Sequence, residues 1–159
     1  MERGGRRVTV RILDATAGNR AIWHDKMNPS AVFIDVRAEG HPLNLTMDAR
    51  HTTFPDSHFD LVVFDPPHMA CGPQSVMAAR YGRYLTDDIR LLVPQAFREF
   101  HRILRPDGLV AFKWNDHDTK LDAILKHVEG FERLFGHSVS VRTKHSSQTF
   151  WVMLRRVGL

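Results

Sequence analysis

The chain has 159 residues, 43% of them hydrophobic and 25% charged, with a formal net charge of +4 at neutral pH. This is the size of one domain around one core, and the composition excludes disordered, collagenous and coiled-coil chains. The single cysteine, Cys71, excludes a disulfide scaffold and every multi-cysteine metal pattern.

A reducing, cytoplasmic setting is therefore expected. No apolar run approaches the ~20 residues that span a bilayer, and Met1 to Arg11 carries charge without an apolar leader. The mild basic excess suits an anionic partner such as nucleic acid.

In chain order, Val8 to Asp14 (VTVRILD) predicts a strand that opens into the small-residue turn Ala15-Thr16-Ala17-Gly18-Asn19. Ala31 to Asp35 (AVFID), Leu43 to Asp48 (LNLTMD) and Phe59 to Asp65 (FDLVVFD) repeat the form, so four predicted strands each end on an acid. A helix is expected from Thr86, with Asp87 and Asp88 in its first turn and Pro94 as a kink. Its apolar side runs through Ile89, Leu92, Val93, Ala96, Phe97, Phe100 and Leu104. Arg105-Pro106-Asp107-Gly108 predicts a turn into a fifth strand, Leu109 to Trp114. Asp118 is a candidate cap for a helix over Thr119 to Val128, and Phe131 to Phe135 and Thr149 to Leu154 are the last predicted strands.

Near-continuous apolar strands such as LVVF indicate burial on both faces, as in a parallel sheet between helices. With no internal repeat and no linker, the alternation predicts one doubly wound α/β domain. Ligands of such sheets lie at the carboxyl ends of the strands, where the strand order switches. The four acids would line that edge.

The strongest local signal is Val62-Val63-Phe64-Asp65-Pro66-Pro67-His68. Two prolines cannot extend a central strand, so Asp65 to His68 form a rigid turn at the carboxyl edge. An isolated Asp-Pro pair commonly serves only to end a strand. It also has a chemical use. An exocyclic amine of a nucleobase is a poor nucleophile because its lone pair is delocalised into the ring. A carboxylate taking one amine hydrogen and a proline carbonyl taking the other would bend the nitrogen toward tetrahedral geometry and expose that lone pair. A following aromatic ring can stack on the base.

At these residues the sequence resembles the class I S-adenosylmethionine-dependent methyltransferases, and among them the amino-methyltransferases with an Asp/Asn-Pro-Pro-aromatic signature. ILDATAG is similar to their first motif, VFIDVR to the second strand, MDAR to the adenine-side segment and VVFDPPH to the catalytic motif. FREFHRILRPDGLVAFKW is similar to the helix, turn and fifth strand downstream. DPPH, the Lys113-Trp114-Asn115 triplet and Leu134-Phe135-Gly136-His137 look most like small phage and mobile-element DNA methylases.

The resemblance implies a single Rossmann-like domain over residues 1–159 without a separate target-recognition domain. Its sheet would have about seven strands, mostly parallel, with an antiparallel last strand. It implies S-adenosylmethionine as cofactor, with Asp14 and the loop Ala15, Thr16, Ala17 and Gly18 about its methionine part. Asp35 with Val36 would hold the ribose, and Asp48 with Ala49 the adenine. Asp65, Pro66, Pro67 and His68 would handle the target amine, with Asp65 also among the cofactor contacts. Gly18 stands alone where many relatives have two or three glycines, and His68 replaces their Tyr, Phe or Trp.

Lys113, Trp114 and Asn115 lie just beyond the fifth strand as candidate substrate contacts, although Trp114 equally suits a core. The Met69 to Leu85 segment, with Gln74, Arg80, Tyr81, Arg83 and Tyr84, mixes basic and aromatic residues fit for a flipped base and its phosphates. Arg142, Lys144 and His145 form a second basic cluster. Cys71 has no Pro-Cys context and reads as a bystander. The ten histidines contain no HExxH and no i, i+4 pair, so no metal is expected. The implied reaction is N-methylation of adenine N6 or cytosine N4 in DNA, by a monomer or homodimer. RNA as substrate, a small-molecule substrate and an idle binding module on the same fold remain the alternatives.

Overall fold

The computed structural model describes residues 9–37, 40–67, 86–139 and 147–158. Seven strands form one sheet: β1 (Ile12–Asp14), β2 (Ala31–Asp35), β3 (Leu45–Thr46), β4 (Phe59–Phe64), β5 (Leu104–Asn115), β6 (Phe131–Ser138) and β7 (Thr149–Arg156). Their order is β3-β2-β1-β4-β5-β7-β6. The first five run parallel, and β7 is antiparallel to both of its neighbours. The chain moves outward from β1 to β3 and returns to β4 on the other side of β1. The order therefore switches between β1 and β4.

Two helices lie among the described residues, α1 (Thr86–Ile103) and α2 (Leu121–Leu125). The apolar stripe of α1 carries Ile89, Val93, Ala96, Phe97, Phe100 and Ile103, all buried. It covers the sheet face formed by Phe64, Val110, Phe112, Trp114, Val152 and Leu154. Phe64 meets the ring of Phe100 edge-on at 4.9 Å. Each such side chain contributes about 1.5–3 kcal/mol on burial, so this face carries most of the core. Strand alternation turns Leu109, Ala111 and Lys113 to the opposite face.

The structure differs from the sequence reading at several points. Parallel strands were expected to be joined by helices, but the described residues between β1 and β4 contain none. The stretch from residue 19 to 30 is poor in apolar residues at helical spacing, and its polar side chains bond the backbone instead. Asp25 accepts from the amide of Met27 and Asn28 from that of Ser30, each at 2.9 Å. This non-helical segment still covers the sheet. Trp23 packs edge-on against Phe33 at 5.0 Å, and the Arg20 guanidinium, only 3% exposed, lies 3.8 Å from the centre of the same ring.

β1 begins at Ile12 because the Arg11 amide donates to the Asp60 carboxylate at 2.8 Å rather than to a strand. β3 shrinks to two residues because Asp48 turns the chain, its carboxylate accepting from the Arg50 amide at 2.9 Å. The expected turn at Arg105 to Gly108 sits inside β5 as a bulge. Phe59 pairs with Leu104 and Leu61 with Leu109, and Asp107 takes a positive φ of 61°. Asp118 does not cap α2. It is paired with His117 at 2.8 Å, and the cap position falls to Lys120 without a side-chain bond, leaving a five-residue helix. β6 and β7 extend past their expected ends.

Candidate active site

The loop after β1 is stitched alternately to the strands on either side. The Ala15 amide donates to the Val63 carbonyl and the Ala17 amide to that of Ile34, each at 2.9 Å. Between these bonds, the Thr16 hydroxyl accepts from the Asp65 amide at 2.8 Å, and the Gly18 amide donates to Asp35 Oδ2 at 2.8 Å. Gly18 has φ 47°, a left-handed conformation costly for residues with a Cβ. Its carbonyl accepts from the His41 amide at 2.9 Å and from the Asn44 side chain at 2.8 Å, fixing the loop from outside.

Three carboxylates thus stand at the order switch. Asp14 is buried, accepting from the Thr16 amide at 3.1 Å and from the Trp23 indole at 2.6 Å. Burial pushes its carboxyl up to about 6; those two hydrogen bonds oppose the rise, and the charges of Asp65 and Asp35 add to it. Asp35, also buried, accepts from the Arg37 amide at 2.9 Å and from the Arg37 side chain at 3.3 Å. Asp65 receives the Lys113 ammonium at 2.6 Å. Pro66 beside it is buried.

Asp48 stands apart, gripped by Arg50 through contacts of 2.7 to 3.1 Å. The side-chain bonds from Arg50 hold its carboxyl below the usual range, against the opposing effect of burial. Ala49 is buried, while Val36, past the end of β2, is 51% exposed.

Asp14, Ala15, Thr16, Ala17, Gly18, Asp35 and Asp65 come together at one edge, with Lys113 joining Asp65. Two of the candidate substrate contacts do not join them. Trp114 is fully buried on the α1 face, its indole donating to the Thr119 carbonyl at 2.8 Å, and so is a core residue. Asn115 spends its side chain on Thr149 at 2.8 Å and on the His117 amide at 3.0 Å, joining β5 to β7. His68, Arg80, Tyr81, Cys71 and the Arg142, Lys144, His145 cluster lie outside the described residues. No metal-holding group of His, Cys, Asp or Glu occurs among the described residues, nor does any helix long and apolar enough to cross a membrane.

Sequence reading missed the bonds made by Trp23, Arg37, Arg50 and Lys113. A signal for two of them was present. Asp35-Val36-Arg37 and Asp48-Ala49-Arg50 share an Asp-x-Arg spacing, in which the carboxylate accepts the amide two residues on and the arginine folds back onto it.

No family model matches the chain, and no curated protein matches it by sequence. Solved structures do match it in fold. The [4+2]-cyclase SpnF aligns with 94% of this chain and 75% of its own, at TM-score 0.66 and 16% identity. The N-methyltransferase NodS from Bradyrhizobium japonicum aligns with 94% of this chain and 86% of its own, at 0.63 and 13%. The 1,6-didemethyltoxoflavin-N1-methyltransferase from Burkholderia thailandensis covers 92% and 71%, at 0.58 and 16%.

The fold is that of the class I S-adenosylmethionine-dependent methyltransferases. On this methyltransferase fold the carboxylates occupy the switch point at which open α/β sheets take their ligands. A cyclase among the neighbours illustrates that the fold alone does not name the reaction.

Proposed function

We propose that this chain is an S-adenosylmethionine-dependent methyltransferase acting on an exocyclic amine of a nucleobase, adenine N6 or cytosine N4, in DNA. One observation carries the reading: the Asp65 carboxylate, ahead of two prolines, sits at the order switch and is tied through its own amide to the loop after β1.

The residues present fit the cofactor at two of its ends. The buried Asp14, with Asp35 and Asp65 acting on it, favours a cation, and the cofactor's ammonium and sulfonium are both positive. A carboxylate offers about four acceptor sites, and on Asp35 the contact from the Arg37 side chain is the longest at 3.3 Å, so a ribose hydroxyl can share it. The clamp of Arg50 on Asp48 leaves the adenine edge to the backbone at Ala49 rather than to the Asp48 carboxylate. When bound, the cofactor supplies an electrophilic methyl on its sulfonium.

The chain's part is to prepare the nucleophile. Asp65 accepts one hydrogen of the target amine and the Pro66 carbonyl the other, drawing the nitrogen out of conjugation with its ring. The two prolines and the Thr16 bond hold both acceptors still, so little reorganisation is needed as charge develops.

Nucleoside mass spectrometry on DNA and on RNA, incubated with S-adenosylmethionine and wild-type or Asp65→Ala protein, tests this. N6-methyladenine or N4-methylcytosine in DNA is expected, falling roughly a hundredfold or more in the variant, with cofactor binding by calorimetry kept within a few-fold. Equal activity in the variant overturns the mechanism. A second reading, N-methylation of a small-molecule amine, is favoured by the toxoflavin enzyme, whose structure holds 1,6-didemethyltoxoflavin. Cofactor binding with no methylated nucleoside in either polymer would select it.

A further inference from the structure

The four acids expected at the carboxyl edge are held by different kinds of donor. Asp35 accepts from the Arg37 side chain, Asp48 from Arg50 and Asp65 from the Lys113 ammonium. Asp14 has no cation bonded to it among the described residues. Its Oδ1 accepts from the Thr16 amide at 3.1 Å and its Oδ2 from the Trp23 indole at 2.6 Å, both neutral donors. Neutral donors orient a carboxylate without cancelling its charge, and each of its oxygens keeps a second acceptor site. Asp14 is thus the acid of this edge whose charge is left for a ligand, and Trp23 makes the shorter of its two bonds.

Trp23 is held in place from several sides, although the segment between β1 and β2 is not helical. Its amide donates to the Arg20 carbonyl at 3.1 Å. The two side chains grip one ring of β2, Trp23 meeting Phe33 at its edge and Arg20 lying over its face. The Arg20 guanidinium donates to the Lys26 carbonyl at 2.5 Å and to Asn44 Oδ1 at 2.8 Å, and Asn44 donates onward to the Gly18 carbonyl at 2.8 Å. One buried cation therefore ties the segment that carries Trp23 to the loop after β1. A crossover helix here would have offered its N-terminal amides to a ligand. In its place, a single indole N–H meets Asp14.

We propose that Trp23 is a positioning residue of the cofactor site, its indole N–H holding Asp14 as the acceptor for the cationic methionine end of S-adenosylmethionine. This role rests on the cofactor site proposed above and is indifferent to whether DNA, RNA or a small molecule receives the methyl group.

The role carries a pH signature, because a cation is met by the ionised form of Asp14, whose carboxyl titrates near 6. The charges that face it are Asp35 at the end of β2 and Asp65 beyond β4, which push it up, and Arg20, which its charge favours. Arg37 and Lys113 stand behind these, on Asp35 and Asp65. The Trp23 bond opposes the rise. Without it, burial and the two carboxylates push the Asp14 carboxyl higher still, and a proton must leave before the cation can be met.

Calorimetric titration of S-adenosylmethionine into the full chain from pH 5 to pH 7.5 tests this. Wild-type affinity is expected to be level near neutrality and to fall below about pH 6. In Trp23→Phe, which keeps a ring against Phe33, the fall should begin about 1 pH unit higher. Binding would then be roughly tenfold weaker than wild type at pH 5 but within about threefold at pH 7.5. Asp14→Asn should remove the pH dependence, and adding Trp23→Phe to it should change affinity less than about twofold. Thermal unfolding at each pH checks that the variants are folded. An equal loss at every pH, or the same loss in the Asp14→Asn background, overturns the role and leaves Trp23 as packing for Phe33. Unchanged affinity in Trp23→Phe overturns it too, as does absence of cofactor binding by wild type. Wild-type affinity that stays constant from pH 5 to pH 7.5 overturns it without any variant at position 23. The expected pH signature without any methylated nucleoside would condemn the proposed reaction and not the role of Trp23. Methylated nucleoside with pH-insensitive cofactor binding would do the reverse.

Discussion

The Asp65 amide donates to the Thr16 hydroxyl at 2.8 Å, joining the loop after β1 to the loop after β4 across the point where strand order switches. The two loops are 49 residues apart in sequence, and this bond gives the carboxylate at Asp65 a fixed position relative to Asp14 and Gly18. Thr16→Val leaves that amide without its acceptor, at about 1–3 kcal/mol. A roughly tenfold loss in kcat for methyl transfer is expected, largely restored in Thr16→Ser. A Val variant with wild-type kcat would show the bond to be dispensable.

Asp14 makes stability depend on pH in a definite direction. Its carboxyl titrates near 6 in the fold and near 3.8 in the unfolded chain, so between these values the native state holds the extra proton. Stability therefore falls as pH rises through this window and levels off above it, by roughly 3 kcal/mol in all. Asp14→Asn removes the effect. Its stability relative to wild type should improve from pH 4 to pH 7 in thermal or urea unfolding, and a constant difference would contradict the assignment.

Glu99 works with the opposite sign. Burial raises its carboxyl, but hydrogen bonds from Arg102 and from Thr52 outweigh this and hold it below its ordinary value. Its contribution is present above about pH 4.5 and is lost as pH falls. Glu99→Gln should cost roughly 1–2 kcal/mol at pH 7 and progressively less on acidification. Urea unfolding at pH 7 and pH 4 measures both.

Lys113 and Trp114 are adjacent in sequence but face opposite sides of the sheet. Trp114→Ala empties a fully buried site among Phe112, α1 and β7, so a loss of about 3–5 kcal/mol is expected. Lys113→Ala removes a partly exposed ion pair and should cost no more than about 1 kcal/mol. Equal destabilisation in urea unfolding would mean that the strand's facing has been misassigned.

Local pattern made much of the fold legible. Four apolar runs ending on acids became β1 to β4, near their expected bounds in β2 and β4 but cut to three residues in β1 and two in β3, and the 3.6-residue spacing from Ile89 to Phe100 became the buried stripe of α1. Those signals are local because strand and helix periods are written within a few residues of each other. The failures were also local competitions. Asx bonds at Asp25 and Asn28 displaced a crossover helix, and the pairing of Asp118 with His117 displaced a cap.

What the sequence determined by itself was that Asp14, Asp35 and Asp65 would stand at the carboxyl edge, because a strand's last residue is legible wherever its apolar run stops; Asp48, expected with them, is held apart by Arg50. What each carboxylate touches was decided only by tertiary structure. Asp65 meets Thr16 and Lys113 through strands neighbouring in space but 48 or 49 residues distant along the chain. Trp114 is core and Lys113 is not because the pleat assigns alternate residues to opposite faces, and only packing against α1 chooses between them. The bulge at Leu134 turns Phe135 and His137 to the side of Trp151 by the same rule, since one extra residue reverses every side chain that follows it.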